Sequence, residues 1–251
     1  SLDSVIKLVE ELNNTFSGFP KTKSLSDARL LFNSLDAINE LSKERIQVDL
    51  EKVTKDSLGE LLNVAKEAVS VKQRVSEVSN MVYDKFWETE TFQQFQRLSA
   101  NIDSWYKFLI PSYRRSIKSI RGYLKTTTKL KDKDILLLCQ INVDLHEVNS
   151  KIKSTKSKLS SITKEVLDSY SDDWQKMLNT LSWHESYLDK TEKGIVYKEG
   201  SVQVWTTESS PQIELSELET LYTNVQTAFE SASFSHAKGH ESLSLVEIAD
   251  Y

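Results

Sequence analysis

Arg114, Lys118, Arg121, Lys125 and Lys129 recur every three or four residues, with Arg115 beside them, so on a helix they form one cationic stripe. Side chains of this kind bind anions; they do not make or break bonds. Tyr113, Ile117, Ile120 and Leu124 keep the same period next to the stripe. A helix that is basic on one side and apolar on the other suits anionic lipid, an acidic partner or a groove that takes amphipathic helices. It also suits a bundle helix whose outer face is simply cationic. From Arg114 to Lys133 there are eight basic residues against one acid, Asp132, and from Glu208 to Tyr251 eight acids against Lys238. The net charge of −5 therefore conceals two regions of opposite sign, which can attract each other or separate partners.

Bond-making residues are arranged less tellingly. The chain has no Gly-rich phosphate loop, no G-x-S-x-G elbow, no H-E-x-x-H motif and no Cys or His pair at structural-metal spacing. His236 and His240 would share a helix face, but no thiol or carboxylate is fixed beside them, and a polar terminus is the expectation there. His184 falls on an apolar seam and reads as a core histidine, while His146 reads as a solvent neighbour of Leu145. Asp172 and Asp173 are adjacent, so on a helix they do not face each other. The expectation is a protein that is not an enzyme, with no metal and no cofactor. Trp87, Trp105, Trp174 and Trp183 fall on helical patterns, where core packing is expected; Trp205 lies in a loop and joins Arg114 and Arg115 as an interface candidate. Net acidity and the lack of a recognisable module disfavour nucleic acid.

Apolar content of 39%, charged content of 27%, six Gly and three Pro describe long helices with few turns, hence an all-α class. The single cysteine, Cys139, rules out an internal disulfide framework and predicts a reduced, packed thiol in a cytoplasmic setting, peripheral on a membrane if the basic helix meets lipid. The longest apolar run, Ile135 to Cys139, is far too short to cross a bilayer. No signal peptide is visible at Ser1, and a start without Met predicts a fragment of a longer chain.

The dominant expectation is one very long helix from Asp134 to Lys193. Leu138, Ile141, Leu145, Val148, Ile152, Leu159, Ile162 and Val166 keep steps of three and four, interrupted only at Thr155. Two steps of four through Tyr170 and Trp174 read as a stutter before Met177, Leu181, His184 and Leu188 resume the pattern. At about 1.5 Å per residue such a helix would span roughly 90 Å. If it divides, the Lys- and Ser-rich stretch from Lys151 to Ser161 is where it would do so. Gly194, behind Lys190 and Lys193, sits where a left-handed cap belongs. The run from Trp174 to Leu188, with its tryptophans and leucines, resembles one helix of a spectrin-type repeat, a likeness from which no function is carried over.

Before the long helix, the pattern predicts a short docked helix within residues 1–20 and a second helix from Ser24 or Ser26. A capping box at Ser57 and Glu60 predicts the start of a third. An aromatic-rich helical face follows from Phe92 through Trp105, Tyr106 and Leu109, then a boundary at Pro111 and the basic helix from Ser112 to about Leu130. After it come a loop or hairpin over 195–209 and a C-terminal helix and tail over 210–251. Together these predict a single elongated, antiparallel helical bundle over 1–251, coiled-coil-like, with about five or six helices. The expected role is a non-enzymatic adaptor or scaffold for helical or acidic protein partners. It would tether an organelle or membrane to a cytoskeletal, cortical-anchoring or fission protein. The alternative is a curved-dimer (BAR-like) peripheral membrane module that meets anionic lipid through the basic helix. Oligomeric state is not set by the sequence.

Overall fold

The computed structural model describes residues 2–16, 19–40, 46–49, 52–125 and 130–197, with 220, 223, 224 and 227. It is all-α: among the described residues there are eight α-helices and no strand. These are α1 (Leu2–Thr15), α2 (Leu25–Asn39), α3 (Lys55–Val78), α4 (Lys85–Glu88), α5 (Phe92–Ser99), α6 (Pro111–Arg121), α7 (Asp132–Ile162) and α8 (Trp174–Glu192). No described helix is long and apolar enough to cross a membrane. The chain gathers into two compact units, one from Ser1–Leu58 with Asn179–Tyr251, the other from Gly59–Leu178.

In the first unit the helix starts follow their cap chemistry. The Ser24 hydroxyl accepts from the Asp27 amide at 3.1 Å while the Asp27 carboxylate accepts from the Ser24 amide at 3.0 Å, a reciprocal box that satisfies the free donors at the start of α2. Asn13 holds the α1–α2 connection, donating to the Thr22 carbonyl at 3.0 Å and accepting its amide at 2.7 Å. Leu12, Leu31 and Leu35 are buried, and the Trp183 indole donates to the Ala37 carbonyl at 2.6 Å. Gly194 closes α8 as expected: its φ of +67° lets the Ile195 amide reach back to the Lys190 carbonyl at 2.9 Å.

The second unit is built on α3 and α7. Glu60, Glu67 and Arg74 pair with Lys158, Lys151 and Asp144, so each step of seven forward along α3 is a step of seven backward along α7. The two helices therefore lie antiparallel. The pairs are half-exposed and worth little each; they mark register more than they supply stability. Leu61, Ala65, Ala68 and Val75 on α3 are buried, as are Ile141, Leu145, Val148 and Ile152 on α7. A second cluster joins Val82, Phe86, Leu98, Ile102, Tyr113, Ile117, Ile120, Ile135, Leu138 and Cys139, and this is the core against which α5 and α6 lie.

Several expectations are corrected. The long helix is two, α7 of 31 residues and α8 of 19, and α7 passes unbroken through 151–161. The break is at 163–173, where side chains replace the helical ladder. Thr163 is extended, its hydroxyl accepts from the Glu165 amide at 3.1 Å, and the Asp172 carboxylate accepts from the Asp168 and Ser169 amides at 2.7 and 2.8 Å. Val166, expected on the seam, is 72% exposed. At the start of α3 the capping oxygen belongs to Thr54, which accepts from the Ser57 amide at 3.2 Å, and Glu60 reaches Lys158 instead of closing a box. The hairpin over 195–209 lies outside the described residues beyond 197, as does the 210–251 region except for four positions. Of these, Thr220, Thr223, Asn224 and Thr227 are helical and exposed.

Candidate functional site

Helix α6 begins where Pro111 allows it: the missing amide falls at the first helical position, where no intrahelical partner exists, and Ile110 before it is extended. Tyr113, Ser116, Ile117 and Ile120 are buried, a three-four-seven stripe against the core. That burial fixes the outer face. Arg114, Arg115 and Lys118 are exposed on it and make no ion pair or hydrogen bond through their side chains with any described residue. The predicted stripe is shorter than expected, because the helix ends at Arg121 instead of near Leu130. Arg121 is engaged by Asp132 at 3.6 Å, and Lys125 lies beyond the helix, donating to the Ser79 carbonyl at 3.3 Å. Leu124 has left the apolar stripe to make an antiparallel bridge with Val82. Lys129 and Trp205 lie outside the described residues.

The turn that leads into α6 was not foreseen. The helical face predicted from Phe92 to Leu109 ends with α5 at Ser99, and residues 100–110 form consecutive turns with a short 3-10 segment at Lys107–Leu109. Trp105, expected to pack in the core, is 86% exposed, with Phe108 at 61% and Leu109 at 75%. Tyr106 is also exposed, and its ring meets that of Trp105 edge-on at 5.7 Å. A contiguous exposed run of large apolar side chains marks an interaction site more often than a scatter of single ones does.

Asp132, at the first turn of α7, ties this region together. It accepts from the Tyr113 hydroxyl at 2.8 Å and lies 3.8 Å from the Lys107 ammonium and 3.6 Å from Arg121. Burial, and then this carboxylate, push the Tyr113 phenol well above its ordinary range, so it stays a neutral donor. Replacing Asp132 by Asn keeps the shape and removes the charge. We expect a loss of about 1.5–3 kcal/mol, the worth of a charge-assisted hydrogen bond, read as a lower urea midpoint with an unchanged slope.

Comparison with protein-family models, with curated proteins and with solved structures returns no match. Among the described residues no three His, Cys, Asp or Glu side chains are placed to hold a metal. The Cys139 thiol is fully buried, and burial pushes its pKa up to about 12, against the opposing effect of the Thr91 hydroxyl; it is a protonated core thiol at neutral pH. His184 is fully buried. His146 lines a cleft of about 490 Å³ between the α4 region and α7, with Asp84, Trp87, Glu88, Lys153 and Tyr170. Its Nε2 is buried without a hydrogen-bond partner among the described residues. Ser150 in the same cleft donates to the His146 backbone carbonyl at 2.9 Å, not to the imidazole, so no nucleophile and base are coupled there.

Proposed function

We propose that the chain is a non-enzymatic adaptor module that rests on an anionic bilayer through the outer face of α6. The observation that carries the reading is the trio Arg114, Arg115 and Lys118, exposed side by side and paired with none of the described residues. A cation near an anionic membrane surface contributes about 1 kcal/mol, so the trio supplies roughly 3 kcal/mol, enough for reversible attachment and no more. A groove for an acidic helix would line its walls with half-buried apolar residues. Here Trp105, Phe108 and Leu109, in the turn that leads into α6, stand out at 61–86% exposure, which favours lipid over a protein helix. The adaptor half of the reading draws on the seven-residue spacing of the α3–α7 ion pairs. That spacing supports bundle packing of coiled-coil type, with seams that a partner's helix can join. Such a module would hold a cytoskeletal, cortical-anchoring or fission protein at the membrane.

The test is co-sedimentation with vesicles of phosphatidylcholine, with and without phosphatidylserine, at low and high salt. Binding is expected only with phosphatidylserine and is expected to weaken with salt. Reversing Arg114, Arg115 and Lys118 to Glu should lower it by at least about a hundredfold, three attractions lost and three repulsions gained. Binding that ignores lipid charge, or survives the reversal, would end this reading.

A further inference from the structure

We infer that residues 104–110 form a prebuilt wedge that enters the headgroup–acyl boundary of the bilayer, with Trp105, Phe108 and Leu109 as the inserted side chains. The inference rests on the lipid reading of α6 and adds an apolar contact to its charge. The chain buries Phe86 and Trp174 to 0% and 1% exposure, yet leaves three large apolar side chains within five residues in water. Each forgoes the burial that holds the core side chains in place.

The turn carries the two features that entry into a bilayer edge requires. Four of its backbone amides are satisfied locally: those of Ser104, Lys107, Leu109 and Ile110 donate to the carbonyls of Asn101, Ser104, Tyr106 and Lys107 at 3.0, 3.2, 2.8 and 3.1 Å. A backbone that brings its own partners loses little on leaving water. Its one cation is folded inward. The Lys107 ammonium donates to the Ile102 carbonyl at 2.8 Å, lies 5.4 Å from the Phe108 ring centroid and 5.9 Å from that of Tyr113, and faces Asp132. No unpaired charge therefore travels with the apolar tip. At the edge of the turn the one acid, Asp103, is answered by Lys133 at 3.7 Å. Indole and phenol rings suit the headgroup level, where one end is wet and the other apolar. Arg114 and Arg115 lie in the first turn and a half of α6, about 6 Å or less along its axis from Pro111, close enough to meet headgroups while the tip is inserted.

The experiment uses the full chain with phosphatidylcholine–phosphatidylserine vesicles whose acyl chains are brominated in one arm and plain in the other. At saturating vesicles, bromine is expected to quench part of the tryptophan emission of the wild-type chain, and that part is expected to vanish in Trp105→Phe. Trp105→Ser/Phe108→Ser/Leu109→Ser, exposed positions whose change should leave the circular dichroism spectrum intact, is expected to bind at least about tenfold more weakly, with the residual binding abolished by salt. Salt-sensitive binding with no Trp105 quench and a triple-Ser variant equal to wild type would overturn the wedge and leave the electrostatic reading standing. No binding of the wild-type chain at low salt would overturn both.

Discussion

Asn142→Ala is expected to cost the chain about 3 kcal/mol, read as a fall in urea midpoint. Asn142 is fully buried in α7, and each end of its amide is used. The Nδ2 group donates to the Phe86 carbonyl at 2.8 Å, and Oδ1 accepts from the Thr91 hydroxyl at 2.8 Å and the Thr91 amide at 3.2 Å. The hydroxyl retains a longer bond to the Cys139 carbonyl, 3.4 Å, and the Phe86 carbonyl retains the Thr89 amide at 3.2 Å, so alanine leaves the Thr91 amide as the orphan and the Phe86 carbonyl with one bond fewer. A buried, unsatisfied amide costs about 1–3 kcal/mol and the lost bond to the Phe86 carbonyl about 1 kcal/mol more, which sets the estimate. Asn142→Asp should be worse still at neutral pH, because it removes the donor and buries a charge. Ser150→Ala, exposed on the same helix, should stay within about 0.5 kcal/mol of wild type. The consequence reaches the proposed site. The bonds fix the α4–α5 junction to α7, and α5 leads directly into the apolar turn. A loss under 1 kcal/mol for Asn142→Ala would mean that the α4–α5 junction is held by apolar packing alone.

What was legible in the sequence was local. Ser24, one of two starts the sequence offered, Pro111 and Gly194 each act within five residues, so residue type and spacing come within a residue or two of a start and a stop, though at Ser57 the same spacing named the wrong cap. The cations Arg114, Arg115 and Lys118 were legible for a related reason. They interleave with Tyr113, Ile117 and Ile120, and burying the one set exposes the other. Arg121 and Lys125 looked equivalent in the same stripe, but their partners, Asp132 and the Ser79 carbonyl, lie 11 and 46 residues away and leave no trace in the period. The break between α7 and α8 was hidden differently. Val166, Tyr170 and Trp174 keep helical spacing with no Gly or Pro among them, while Thr163 and Asp172 capture the backbone amides that a helix would have used. Periodicity counts apolar residues and is silent on where they point. The same blindness misplaced Trp105: Leu98, Ile102 and Trp105 are spaced as one helical face, yet the Asn101 side chain bonds the Arg97 carbonyl at 2.9 Å, the chain turns, and only the first two are buried.

His184 should make the protein sensitive to mild acid. It is fully buried, and burial alone lowers its pKa from 6.5 to about 4. Above pH 6.5 the imidazole is neutral in the folded and unfolded chain, and the site adds no pH dependence. Between pH 6.5 and 4 the unfolded chain takes up a proton that the folded chain refuses, so stability falls with falling pH. At 1.36 kcal/mol per unit the gap of about 2.5 units amounts to roughly 3 kcal/mol, nearly all of it lost by pH 4. The check is urea unfolding of wild type and His184→Gln at pH 7.5 and pH 4.5. The substitution has its own cost, common to both pH values, so the informative quantity is the difference of differences. Wild type should lose about 2–3 kcal/mol more than His184→Gln on going to pH 4.5. Equal losses would mean that the imidazole gains a proton in the folded chain as readily as in the unfolded one, through water reaching the core or an opening of α8 around it.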